Sequence, residues 1–199
     1  MLSRLFALSI CVSACAGIGL EFITLMKGGA SILGAAWVLG GYFTILTNAL
    51  LAVVFGAFAI CGKRLDHPRL MAGVVFSIVL VGVIFALLLQ GRRTLAGATA
   101  EANFLLHQFN PVLVVLFWLL FTRKGMLSWR DPLLWTLYPL GYLVYALVRG
   151  ALAGKYAYPF IDVSELGWAR VIGNAVLITL CFVAAGQVLV WIDRMLARR

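Results

Sequence analysis

Charge is what this sequence has least of. Only 12% of its 199 residues are Asp, Glu, Lys or Arg and 64% are hydrophobic, against about 45–50% apolar in a soluble domain. That balance excludes a soluble globular fold. The apolar runs also lack the alternation that lipid-facing strands need, and an open sheet cannot satisfy its backbone in a bilayer, so strands are excluded as well. Histidine is almost missing: His67 and His107 are the only two. They lie far apart in the chain, and no Cys or carboxylate is near His107 in sequence, so no metal site is expected. Four cysteines, Cys11, Cys15, Cys61 and Cys181, make no disulfide framework; two stand one turn apart in a single apolar run, and all four read as packing residues. No P-loop, dinucleotide-binding fingerprint or G-x-S-x-G elbow occurs, so no cofactor is implied. Pro139 and Gly141 can break a helix as transporters do, but the internal repeat that transporters are built from is absent.

What the sequence does have is apolar runs of about 20 residues, the length that crosses a bilayer as a helix. Six can be read, near 5–25, 39–60, 70–90, 103–121, 132–152 and 168–191. The expected fold is all-α, a polytopic bundle of six transmembrane helices forming a single transmembrane domain over 1–199. The first run, with V-S-A-C at 12–15, has some look of a secretion signal. Its hydrophobicity continues to Leu25, longer than a usual signal core, which favours a plain first helix.

The net charge of +9 has to be located before it is interpreted. Arg4, Lys63, Arg64, Arg69, Arg123, Lys124, Arg130, Arg194, Arg198 and Arg199 fall on one side of the threaded chain; Lys27, Arg92, Arg93 and Lys155 fall in loops on the other, with Arg149 and Arg170 at helix ends. Ten against four puts both termini in the cytoplasm by the positive-inside rule. Membrane lipids are the partners this charge implies. No aromatic-interleaved basic stripe points to nucleic acid.

That threading gathers the polar intramembrane groups in the outer half. Thr44, Thr47 and Asn48 lie one to two turns into the second span; His107, Gln108 and Asn110 lie about one turn into the fourth. Arg170 and Asn174 open the sixth, and Glu21 and Arg149 close the first and fifth. Polar groups at membrane depth usually face a cavity or one another, which makes the cluster a candidate site. The plainer alternative is that Asn, Thr and Gln only join helices by hydrogen bonds.

Counting about 1.5 Å per residue, Thr44 lies roughly 6–8 Å below its span start and His107 roughly 6 Å below its own. Thr44 and Asn48 share one helix face as i and i+4, and His107 and Asn110 share another as i and i+3. A neutral imidazole can accept a hydroxyl proton, and a threonine so activated can attack an acyl carbonyl to form an acyl-enzyme that water releases. The asparagines can supply oxyanion donors or orient the imidazole.

Four segments, G-G-Y-F-T-I-L-T-N (40–48), N-F-L-L-H (103–107), G-Y-L-V-Y (141–145) and G-K-Y-A-Y-P-F-I-D (154–162), resemble in order and spacing the androgen-induced and androgen-dependent TFPI-regulating membrane proteins. The resemblance covers nearly the whole chain, as a bacterial-type relative in an inner membrane. It implies a threonine hydrolase of fatty acid esters of hydroxy fatty acids, with a lipid ester as substrate. By position the nucleophile would be Thr44 rather than Thr47, since Thr44 directly follows Phe43, and the base would be His107. Vertebrate members carry histidines where this chain has Phe104, Gly150 and Ala151. Arg149 can bind a fatty-acid carboxylate or simply reach to water as an interfacial arginine. Asp162 and Glu165 can orient His107 or bind nothing, and the loop holding Pro159 reads as a lid. The alternative function is a non-catalytic lipid or small-molecule binding protein, a carrier or sensor, whose polar cluster holds a headgroup.

Overall fold

A computed structural model of the chain describes residues 1–65, 67–91 and 96–197. Arg92, Arg93, Arg198 and Arg199, four of the cations that orient the chain above, lie outside those residues. Among the described residues there are helices and no strand. The chain is all-α, with long apolar helices of a membrane protein. Five are long and apolar enough to cross a bilayer: Leu2–Lys27, Phe43–Cys61, Pro68–Leu89, Ala98–Phe121 and Val163–Ala197. The expected span at 132–152 is instead two pieces, Asp131–Trp135 and the 17-residue Leu137–Ala153. Pro139 explains the joint, because it has no N–H to give the carbonyl four residues back and its ring crowds that carbonyl.

The chain divides into two compact units, residues 1–123 and 124–199. The first contains α1 (Leu2–Lys27), a short α2 (Ile32–Leu39), α3 (Phe43–Cys61) and α4 (Pro68–Ile84), which runs on into a wide turn at Phe85–Leu89. It ends with α5 (Ala98–Phe104), a second wide turn at Leu105–Phe109 and α6 (Asn110–Phe121). Helix α1 packs along α3 through a buried stripe of Ala7, Ile10, Ala14 and Gly17. Lipid tails are as apolar as leucine, so helices here associate by close packing of small residues rather than by exclusion of water. Gly56 shows how close: a Cβ on it would lie 3.1 Å from Cys11 Sγ. Cys15, Cys61 and Cys181 are exposed on their helices, so of the four cysteines Cys11 is the one that packs as expected.

An aromatic cluster fills one end of this unit. Phe117 meets Phe55 edge to face at 4.9 Å and Phe58 at 5.3 Å, the geometry in which the positive ring edge faces a negative ring face. At the same end Arg4 Nε donates to the Ala59 carbonyl at 2.7 Å and its guanidinium also donates to Ile60 O. A cation there satisfies the last carbonyls of α3 and complements the negative end of its dipole.

The two wide turns are the irregular part of the unit, and one has a clear cause. Proline at position 111 has no donor for the carbonyl of His107, four residues earlier, and its ring would crowd that oxygen in a regular helix. The backbone widens to i→i+5 just before it: Asn110 N–H donates to Leu105 O, passing over Leu106 O. Such single π-helical turns leave carbonyls for other partners.

The second unit holds α7 (Asp131–Trp135), α8 (Leu137–Ala153), a 3₁₀ turn at Pro159–Ile161 and α9 (Val163–Ala197). Helix α9 is broken near its start at Gly167 (φ 72°, ψ 161°), so its continuous part begins at 168 as the sequence predicts. Gly150 leaves room for the Tyr156 ring, which a Cβ would overlap. The 154–158 loop therefore folds back on α8.

Candidate active site

Helix α3 begins at Phe43, with Leu46 N–H making its first bond to Tyr42 O at 3.1 Å. Thr44 is therefore the second residue of the helix, not one to two turns into it. The fourth long helix begins at Ala98 rather than near 103, and His107 lies nine residues on, about 14 Å along the axis. Equal depth below the span starts is thus not what pairs them. They nonetheless meet: Thr44 Oγ1 lies 3.3 Å from His107 Nε2.

The other ring nitrogen decides the direction of that contact. His107 Nδ1 lies 3.1 Å from Asn103 O, and a carbonyl only accepts, so Nδ1 carries the hydrogen of the neutral imidazole. Nε2 then holds the lone pair and accepts from the Thr44 hydroxyl. The third group of the familiar serine triad is a carboxylate; here that position is taken by a backbone carbonyl of the same helix, which fixes tautomer and ring orientation without adding charge. Phe85, from the wide turn after α4, stacks on the imidazole with centroids 4.2 Å apart at 27°.

Beneath the pair runs an amide chain. Asn48 Nδ2 donates to Thr44 O at 2.9 Å and to Leu106 O at 3.3 Å, the carbonyl that the wide turn passes over. Asn110 Nδ2 donates to Asn48 Oδ1 at 2.7 Å. Both asparagines are fully buried. Because both Asn48 amide hydrogens point at main-chain carbonyls, this residue is a strut under the pair rather than an oxyanion donor. Interhelical bonds of this kind contribute on the order of 0.6 kcal/mol each in a membrane, so they fix register more than they add stability. Gln108 is exposed and takes no part.

The turn carrying His107 is also seated on two glycines. A Cβ on Gly17 of α1 would fall 2.7 Å from Leu106 Cδ2, and one on Gly82 of α4 would fall 3.0 Å from His107 O. Leu106 packs with Leu39 and Ile45 in a small apolar cluster that Ile18, Phe22, Leu25 and Tyr42 complete. Thr44 is 8% exposed and His107 partly buried. Asn103 O, Phe85, Gly17 and Gly82 are not identifiable as site groups in the sequence. Pro111, four residues after His107, is the one signal that a carbonyl near the histidine would be released.

Arg149, Asp162 and Asn174 belong to the second unit, where each has a local role. Arg149 Nη1 donates to the Tyr145 hydroxyl one turn earlier at 3.2 Å. Asp162 Oδ1 accepts from Ser164 N–H at 3.0 Å and Glu165 N–H at 3.3 Å, so it caps the short turn that precedes the break at Gly167. Of the two alternatives for Asp162 and Glu165, orienting His107 or binding nothing, the first is not needed for Nδ1, whose bond goes to Asn103 O. Asn174 Nδ2 donates to Phe160 O at 2.9 Å and ties the 3₁₀ turn to α9. Tyr158 meets the Tyr142 ring of α8 edge to face at 6.4 Å, so the segment expected to act as a lid is held from two sides.

Among the described residues no group of three or more His, Cys, Asp or Glu side chains converges. Comparison of the chain with protein-family models, curated proteins and solved structures finds no match.

Proposed function

We propose that this protein is a membrane-embedded hydrolase of lipid esters, of the fatty acid ester of hydroxy fatty acid type, with Thr44 as nucleophile and His107 as general base. The observation that carries the reading is the 3.3 Å contact of Thr44 Oγ1 with an Nε2 whose lone pair faces the hydroxyl because Nδ1–H is held by Asn103 O. A contact of this length is within the range of catalytic hydrogen bonds before substrate tightens them. The resemblance to the androgen-induced and androgen-dependent TFPI-regulating proteins supports the same pair and the same ester class.

In the reaction, Thr44 Oγ attacks the ester carbonyl carbon as its proton passes to His107 Nε2. The tetrahedral intermediate collapses by breaking the bond to the alcohol oxygen, which takes the proton from Nε2 and leaves as the hydroxy fatty acid. Water then attacks the acyl-threonine carbonyl, giving a proton to Nε2. Collapse breaks the bond to Thr44 Oγ, which regains that proton, and the fatty acid departs. Thr44 lies in the first turn of α3, where the positive end of the helix dipole favours developing negative charge. With the 131–153 segment counted as a sixth crossing, the basic residues support both termini in the cytoplasm and a site on the outer-leaflet side; the bacterial inner-membrane location follows from the resemblance.

The second reading, a lipid-binding carrier or sensor, is favoured by the nearly closed position of Thr44. Purified protein in lipid bilayers, given a fatty acid ester of a hydroxy fatty acid, separates the two. Release of both acids by the wild type and not by Thr44→Ala supports the hydrolase; retention of intact ester by both proteins overturns it.

A further inference from the structure

Asn48 does something that helix adhesion alone does not require. A single amide nitrogen bridges two main-chain carbonyls: that of Thr44, the proposed nucleophile, at 2.9 Å, and that of Leu106, the neighbour of the proposed base, at 3.3 Å. The Leu106 carbonyl is available only because the turn ahead of Pro111 is widened and Asn110 N–H bonds Leu105 O instead. Asn110 completes the arrangement. Its amide makes one bond among the described residues, Nδ2 to Asn48 Oδ1 at 2.7 Å, while its Oδ1 has no partner there. A fully buried amide with so little satisfied is costly. Its one bond defines which way Asn48 faces, since a flipped Asn48 would turn an oxygen toward two carbonyls and a nitrogen toward another donor.

We propose that Asn48 is a positioning residue that pins α3 to the wide turn so that Oγ1 and Nε2 stay within hydrogen-bond reach, and that Asn110 sets its orientation. This rests on the hydrolase reading for its catalytic consequence but not for its geometry. Because both anchors are backbone oxygens, the pin holds the two residues whatever their side chains do. Gly17 and Gly82 let α1 and α4 close on the same turn, so the turn is gripped from three helices, with Asn48 the polar contact to its backbone.

Two measurements on the full chain in bilayers test this. The first is nitrogen NMR of histidine-labelled protein carrying His67→Gln, which leaves one imidazole. The pin predicts a neutral ring with Nδ1 protonated and Nε2 shifted by its hydrogen bond. Asn48→Ala removes the Nε2 hydrogen-bond shift and leaves Nδ1 protonated, because Asn103 O is on the histidine's own helix. The second is ester hydrolysis, where kcat falls about 100-fold with KM changed less than about threefold, the scale expected when reacting atoms are misplaced by about an ångström. Should Asn48→Ala fail to fold, Asn110→Leu carries both tests, with the same loss of shift and a kcat fall of about tenfold. An unchanged Nε2 signal in a folded variant overturns the pin whether or not the protein hydrolyses esters. An unchanged kcat in an active protein does so too. Loss of the Nε2 shift in a chain that shows no hydrolysis even as wild type keeps the pin and removes the hydrolase reading.

Discussion

The two units handle their polar groups in opposite ways. In the first, Thr44, Asn48, Asn110 and the imidazole of His107 run through the interior, with Thr44 at 8% exposure and both asparagines at 0%. They link the first two turns of α3 to the turn before α6, inside long apolar segments. In the second, the polar contacts gather at helix ends. Asn174 and Asp162 tie down the 159–162 turn. At the other end Leu127 N–H donates to the buried Asp193 at 3.0 Å, and the Arg194 guanidinium lies 4.4 Å from the Trp129 ring centre. Contacts at helix ends close loops, whereas a hydrogen-bonded line through an apolar interior needs every member placed and is retained at a cost in desolvation. The first arrangement is the one the proposed site requires; the second ties helix ends to loops.

The largest effects that would break this contrast are at the dyad. Thr44→Ala is expected to reduce ester hydrolysis to background. His107→Ala is expected to reduce it by roughly 10²–10⁴-fold, the usual contribution of a general base. The double variant should be scarcely worse than Thr44→Ala, because residues acting as one unit are non-additive; additive losses would mean that the two act separately.

A smaller effect is expected at Gly82. Gly82→Val places methyl groups against His107 O and should lower kcat about tenfold by moving the imidazole a few tenths of an ångström, measured beside a thermal unfolding curve to show that the bundle survives. Thr47→Ala sharpens the choice of nucleophile. Thr47 is fully buried three residues from Thr44, and its loss should leave kcat/KM within about threefold of wild type. A dead Thr47 variant would transfer the nucleophile to that position.

The smallest effects belong to the second unit. Asp162→Ala removes the cap of the turn that leads into α9 and should cost about 1 kcal/mol of stability, read as a lower unfolding midpoint, with kcat unchanged. Arg149→Ala should likewise leave KM alone if the guanidinium serves its own helix, where it donates to the Tyr145 hydroxyl. A marked rise in KM would give Arg149 the fatty-acid carboxylate and bring the second unit into substrate binding.

The all-helical membrane fold was legible because apolar runs of bilayer length admit no other backbone solution. The division at Thr136 was less visible, although Pro139 carries its cause. Thr44 and His107 could be paired from residue chemistry, yet the depth argument relied on span starts at 39 and 103, and the helices begin at 43 and 98. The start at 43 follows the end of α2 at Gly40 and the start at 98 follows Gly97 in a positive-φ conformation, and hydropathy registers neither. Asn48 was identifiable as a polar neighbour, but its two carbonyl partners depend on a π-helical turn whose only trace in the sequence is Pro111. Arg149, Asp162 and Asn174 stand near helix ends, where the sequence alone does not separate a substrate contact from a cap or a loop tie.

The central claim is that one threonine hydroxyl is a nucleophile, and covalent capture tests it most directly. Wild-type protein in bilayers is treated with a fluorophosphonate bearing an alkyl chain, digested, and its adduct located by mass spectrometry. The expected result is a single phosphonylated residue, Thr44, with labelling lost in His107→Ala and slowed about 100-fold in Asn48→Ala. No adduct under conditions where the ester is hydrolysed, or an adduct at Thr47 with Thr44 untouched, would contradict it.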